Sequence, residues 1–189
     1  TGTIYPIIFI SATGQIKEGA ATLLFLVSRI GSSVIGILIN SVLLVQHNWS
    51  TAEERINPLP FRLMTAAVGL TLAAILLHRL GVPPLITYAP TVAGWLATLA
   101  AAPFVLRETN RRRLGSTILT KSVLDICVST LSVVILLRNP TVTGYFGAYS
   151  LSQSITCFVC AIPMGDRYLK ISSAVMTAIS FGVLRVLGW

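Results

Sequence analysis

Residues 61–78 read FRLMTAAVGLTLAAILLH. Arg62 and His78 bound this stretch, and no charge stands between them. A helix needs about 20 apolar residues to cross the hydrocarbon core of a bilayer. The run lacks the apolar/polar alternation that a strand of an outer-membrane barrel requires, so it reads as a membrane-crossing helix. Working outward, the same pattern recurs along the chain, with long apolar runs and the charges confined to the gaps. Hydrophobic residues make up 54% of the 189 residues, charged residues 11%, and mean hydropathy is +0.81. Soluble domains carry about a quarter charged residues. A chain this poor in charge cannot cover a water-facing surface, so lipid is expected to be part of its solvent.

Six segments reach the required length: 19–46, 61–78, 82–106, 114–137, 142–164 and 169–187. A seventh apolar segment, Thr3–Thr13, is short for an untilted span. No charged region precedes it, so a secretory signal peptide is not expected. The expected fold class is all-α, a polytopic transmembrane helix bundle of six or seven spans, with residues 1–189 forming a single transmembrane domain. Gly31, Gly36, Gly94, Pro90 and Pro103 fall within the spans, which membrane helices tolerate. No span carries a strict small-xxx-small stripe that would compel a dimer.

Charge sets the expected orientation. The connectors after the first, third and fifth spans hold Arg55, Arg62, Arg107, Arg111, Arg112, Arg113, Arg167 and Lys170. The opposite side holds Lys17, Arg79, Arg138 and Arg185. The positive-inside rule places the first set in the cytoplasm. The net charge of +8 therefore reads as topology and contact with anionic headgroups. The cations are dispersed apart from Arg111–Arg113 and lack accompanying aromatic stacking surfaces, so nucleic acid is not an expected partner. Trp49, Tyr168 and Trp189 suit interfacial belt positions. Asn48-Trp49-Ser50 matches a glycosylation sequon, but its expected cytoplasmic side argues against its use.

Ionisable residues inside spans are functional candidates by default. Arg29 and Asn40 lie in the first span, and Lys121 and Asp125 in the fourth. The four-residue spacing puts Lys121 and Asp125 on one helix face, within pairing reach. Together these four residues define a candidate polar path. The competing reading is snorkelling, with Lys121 neutralised by Asp125. Cys157 and Cys160 have CxxC spacing within an apolar helix that offers no second pair, and read as packed small residues. His47 and His78 stand on opposite expected sides and make a poor metal pair.

The most unusual connector is 47–62, HNWSTAEERINPLPFR, which holds Glu53 and Glu54, two of only six acids in the chain. Hard cations take oxygen ligands, so these adjacent carboxylates are candidate Mg²⁺ ligands. Arg55 and Arg62 would then neutralise a diphosphate held by the metal. The plainer reading is a solvated loop in which Pro58 and Pro60 start the next helix.

Asn48, Glu53-Glu54-Arg55-Ile56-Asn57-Pro58-Leu59-Pro60 and Thr65 resemble the region after the second helix of UbiA-type intramembrane prenyltransferases. They look most like relatives that include terpene cyclases. Gly165-Asp166-Arg167 is similar to the Gly-Asp-Arg of that family's second acidic motif. The resemblance implies an intramembrane enzyme acting on isoprenoid or lipid diphosphates by Mg²⁺-assisted prenyl transfer or cyclisation. It assigns Glu53, Glu54 and Asp166 to the metal and catalysis. Asn48, Arg55, Asn57, Arg62 and Arg167 are assigned to the lipid-diphosphate substrate. The chain departs from the family at its first motif, where Trp49 and Ala52 replace spaced aspartates, and has fewer spans than the family usually has. A fainter similarity through Ala101–Pro163 points to membrane peptidases that process signalling peptides, but the Cys/His pair their catalysis needs is absent. Two other functions fit the apolar pattern. One is a non-enzymatic membrane subunit or assembly factor whose partners are other membrane helices. The other is a small-solute or ion transporter using Arg29, Asn40, Lys121 and Asp125.

Overall fold

A computed structural model describes residues 20–49, 58–112, 115–138 and 141–186. These form helices joined by short turns, without strands among the described residues. The helices are α1 (Ala20–Trp49), α2 (Leu59–Arg79), α3 (Pro84–Arg111), α4 (Gly115–Arg138), α5 (Val142–Met164) and α6 (Arg167–Val186). Three segments among the described residues are long and apolar enough to cross a membrane: Leu59–Arg79, Ile86–Asn110 and Val142–Met164. Thr3–Thr13 lies outside the described residues.

The helix ends follow local chemistry. Pro60 sits in the first turn of α2 and Pro84 in that of α3, where a missing N–H leaves no intrahelical bond unmade. That placement starts α3 later than the apolar run itself, because Pro83 is extended at ψ 140°. At its other end α3 continues past Leu106 to Arg111, beyond the apolar run. The hydroxyl of Thr141 caps α5 by accepting the Gly144 N–H at 3.0 Å. Gly165, at φ 72°, ends α5 in the left-handed region where a side chain would be strained.

Helices α2, α3, α5 and α6 form the packed centre, with α4 against α5 and α1 chiefly against α3. One core cluster joins Met64, Ala101, Val105, Cys157, Cys160, Met164, Leu169 and Met176. The second gathers Trp95, Tyr145, Phe146, Ala148 and Leu151. Trp95 meets Phe146 at 5.2 Å between ring centroids, and Tyr145 meets Tyr149 at the same separation.

The polarity of the packing departs from that of a water-soluble bundle. Thr71, Thr87, Thr91, Thr98, Thr109, Ser150, Ser154, Thr156, Ser172, Ser173 and Ser180 are buried. Large aliphatic side chains such as Leu72, Leu76, Leu119, Ile126, Leu131 and Val175 are exposed. On helix α6 Ser172, Ser173 and Ser180 share the inward face with Leu169, Met176 and Val183, while Ile171, Val175 and Phe181 face outward. Most of the inward hydroxyls donate to a carbonyl one turn back, as Thr71 does to Ala67 O at 2.8 Å and Ser173 to Leu169 O at 2.6 Å. The Thr177 hydroxyl, 2.8 Å from Ser173 O one turn back, also lies 3.1 Å from Ser154 Oγ and so brings α6 against α5. In water so large an apolar exterior would drive association. Where lipid surrounds helices, its tails are as apolar as leucine and give no such drive, and small residues that allow close backbone approach favour packing instead. At Gly94 a Cβ would come within 2.9 Å of Thr71 Oγ1 and 3.4 Å of Ala67 O, which is how closely α3 lies on α2.

Candidate functional site

The connectors after the third and fifth helices, and the start of α2, meet at one end of the bundle. Two contacts establish this. The Phe61 ring, at the start of α2, lies 5.7 Å from the Tyr168 ring, at the start of α6. Arg112, just past α3, donates from Nη1 to Met164 O at the end of α5, at 3.2 Å. Met164 O belongs to the last turn of a helix, where carbonyls lack intrahelical partners and a cation is favoured. Arg112 is held for this by Glu108, whose Oε1 accepts from Nε at 2.8 Å. The triplet Arg111–Arg113 was expected only to anchor topology, yet its middle member latches two helices together. The signal was present in the sequence as Glu108 and Arg112 at i,i+4, with the acid N-terminal to the base.

Arg62, Arg107, Arg167 and Lys170 stand at the same end, and all but the half-buried Arg107 are exposed. Five cations, counting Arg112, face Glu108 and Asp166 as the described acids there. Such an excess creates a positive potential suited to phosphate groups.

Asp166 has a local task. Its Oδ1 accepts the Leu169 N–H at 3.0 Å and caps α6, whose first N–H groups have no helical partner. Because of this cap α6 starts at Arg167, two residues before the apolar run. Among the described residues no hydrogen bond or ion pair engages Oδ2, and Mg²⁺ sites commonly use one or two carboxylates with waters and phosphates. Glu53, Glu54, Arg55 and Asn57 lie outside the described residues, as does the side chain of Asn48. Among the described residues no three His, Cys, Asp or Glu side chains gather as a metal site. Of the expected site, the structure therefore brings Arg62, Asp166 and Arg167 to one end.

The intramembrane candidates sit elsewhere. Lys121 Nζ pairs with Asp125 Oδ2 at 2.5 Å on α4, as their spacing implies. Asp125 Oδ1 also accepts the Thr156 hydroxyl at 2.8 Å, so the carboxylate joins α4 to α5. Nothing in the local sequence marked Thr156 as its partner. Arg29 lies on an exposed face of α1, with its guanidinium carbon 5.8 Å from the Phe25 ring centroid. The side chain of Asn40 lies outside the described residues. The described members of the candidate path thus occupy separate places, Arg29 on the outer face of α1 and the ion pair between α4 and α5. Cys157 and Cys160 are fully buried in the first core cluster, while Cys127 is exposed on α4.

No protein-family model matches the sequence, and neither the curated proteins nor the solved structures give a significant match.

Proposed function

We propose that the chain is a six-span integral membrane protein that handles isoprenoid or lipid diphosphates at its basic end. In this reading the connectors after α1, α3 and α5 face the cytoplasm. The supporting observation is the Phe61–Tyr168 contact, which puts the exit of the first connector beside Asp166-Arg167. A diphosphate carries concentrated negative charge, which Arg62 and Arg167 are placed to neutralise while its apolar tail stays in the lipid. Asp166 Oδ2, with Glu53 and Glu54 from the first connector, would hold Mg²⁺. The metal would supply charge neutralisation of the leaving diphosphate. The chemistry is then prenyl transfer or cyclisation.

The test uses the purified chain in proteoliposomes with a panel of prenyl diphosphates and Mg²⁺, each alone for cyclisation and with aromatic and alcohol acceptors for prenyl transfer. Release of pyrophosphate is expected, falling at least tenfold in Glu53→Gln/Glu54→Gln, the scale of one lost catalytic electrostatic interaction or more. Unchanged turnover in that variant rejects the metal site. Failure of every diphosphate to react rejects the enzyme reading.

A second reading, as a non-enzymatic membrane subunit, draws on a different observation. Helix α1 joins the bundle chiefly through α3, and α1 and α4 both present exposed aliphatic residues. Partner membrane helices would find docking surface there. Co-purification of a stoichiometric partner from native membranes, together with absence of turnover, favours this reading over the first.

A further inference from the structure

The outer face of α1 carries a groove of about 390 Å³ between two neighbouring rows of side chains. Phe25, Arg29, Ser33 and Ile37 form one row at four-residue spacing, and Leu26, Ile30 and Val34 form the other. The lining is apolar apart from Arg29 and Ser33, and Ser33 spends its hydroxyl on Arg29 O at 2.8 Å. The guanidinium is the one charged group of the groove, and among the described residues no carboxylate pairs with it.

Its position along the groove identifies the occupant. The Arg29 side chain runs back toward the Ala20 end of the helix, because its guanidinium carbon lies over the Phe25 ring. That is the direction in which a long cationic side chain snorkels toward an interface. The groove then continues from the level of Phe25 to Ile37, about 18 Å at 1.5 Å per residue. One leaflet of hydrocarbon is about 15 Å deep, half of the ~30 Å core. A cation at one end of an apolar groove one leaflet long matches an anionic lipid, with phosphate at Arg29 and an acyl chain along Ile30, Val34 and Ile37. An acidic partner helix would fit better had the charge stood midway along the groove. A second copy of this chain fits poorly, because Asp125, its carboxylate in the middle of α4, already serves Lys121 and Thr156.

We infer that the α1 groove is a specific site for one anionic phospholipid, held by its phosphate at Arg29. The site is separate from the basic end and does not depend on the proposed function.

The test places the whole chain in nanodiscs of mixed phosphatidylglycerol and phosphatidylcholine and counts retained lipids by native mass spectrometry. The wild-type protein is expected to retain one phosphatidylglycerol more than Arg29→Gln, with about fivefold preference at that site, the scale of one cation at a membrane surface, while lipid held by the basic end is common to both. Arg29→Lys should keep most of that difference. Acyl-brominated phosphatidylglycerol should quench the added fluorescence of Ile37→Trp, and this quenching should fall in the Arg29→Gln background. Equal retention by wild type and Arg29→Gln overturns the inference. Absence of quenching at Ile37→Trp also overturns it, since the groove would then be covered by protein.

Discussion

Helices α5 and α1 are both long and apolar, yet one is enclosed and the other stands at the edge of the bundle. In α5 the buried positions include Gly144, Gly147, Ala148, Ser150, Ser154, Cys157, Cys160 and Ala161. Neighbouring backbones approach closely over these small side chains. In α1 the described face displays Phe25, Leu26, Ile30, Val34, Ile37 and Leu38, all exposed. It lies close on α3 at Gly31, where a Cβ would stand 2.7 Å from Leu96 Cδ2 and 3.2 Å from Trp95 Cζ3. Hydrophobicity does not separate the two helices. Where lipid is the alternative environment, burying a leucine gains little, and close van der Waals packing over small residues decides which helix is enclosed.

The strongest way to break this comparison is to fill the tightest seam. Gly94→Val puts a branched side chain against Thr71 Oγ1 and the Ala67 carbonyl, neither of which can retreat far. A loss of about 3 kcal/mol is expected, at the upper end for overpacking, read as a lowered unfolding midpoint in detergent. Next comes the α4–α5 tie. Asp125→Leu leaves Lys121 without its partner and Thr156 with only the Ser152 carbonyl of its own helix, 3.1 Å away, and should destabilise by roughly 2 kcal/mol, the scale of hydrogen bonds to a charged group. Adding Lys121→Met should recover most of that loss, and a double-mutant cycle measures the coupling. If the cycle shows no coupling, the pair is a solvated ornament and α4 is held by packing alone.

A smaller effect sharpens the contrast at the edge. Gly31→Ala presses on the mobile end of Leu96 and on the Trp95 ring, and should weaken the α1–α3 contact by about 1 kcal/mol, at the low end for overpacking. Hydrogen exchange should rise in α1 while α5 keeps its protection. The smallest change is expected at Gly36, where an added Cβ meets nothing within 4 Å. Gly36→Ala should shift stability by less than about 1 kcal/mol, and upward, because alanine favours helix more than glycine. A large loss there would mean that the outer face of α1 is packed against protein.

Much of the fold was legible from local pattern. The bounds of α5 coincide with the apolar run 142–164, because Thr141 and Gly165 are capping residues in the sequence itself. The Lys121–Asp125 pair was legible from its spacing, since i,i+4 neighbours on one helix meet whatever else the chain does. Asp166 looked like a metal ligand from its motif, while its position three residues before Leu169 also suits a helix cap, and the structure uses it so. The seam of α3, with buried Thr87, Thr91, Gly94, Thr98 and Ala101, escaped a search for strict four-residue stripes because its spacing alternates between three and four. The Arg112–Met164 latch and the Thr156–Asp125 bond join residues far apart in the chain, and no local signal announces such partners.

The sequence by itself determined the helices and marked the apolar runs, three of which among the described residues are long and apolar enough to cross a membrane, where backbone groups that find no water must pair within a helix. Only the tertiary structure decided which face of each helix turned inward. In water, hydrophobicity would have announced that choice. Here the inward faces mix Met64, Trp95, Phe146 and Leu169 with serine, threonine, glycine and alanine, and the value of those small residues lies in how closely they let another backbone approach, which depends on what stands opposite.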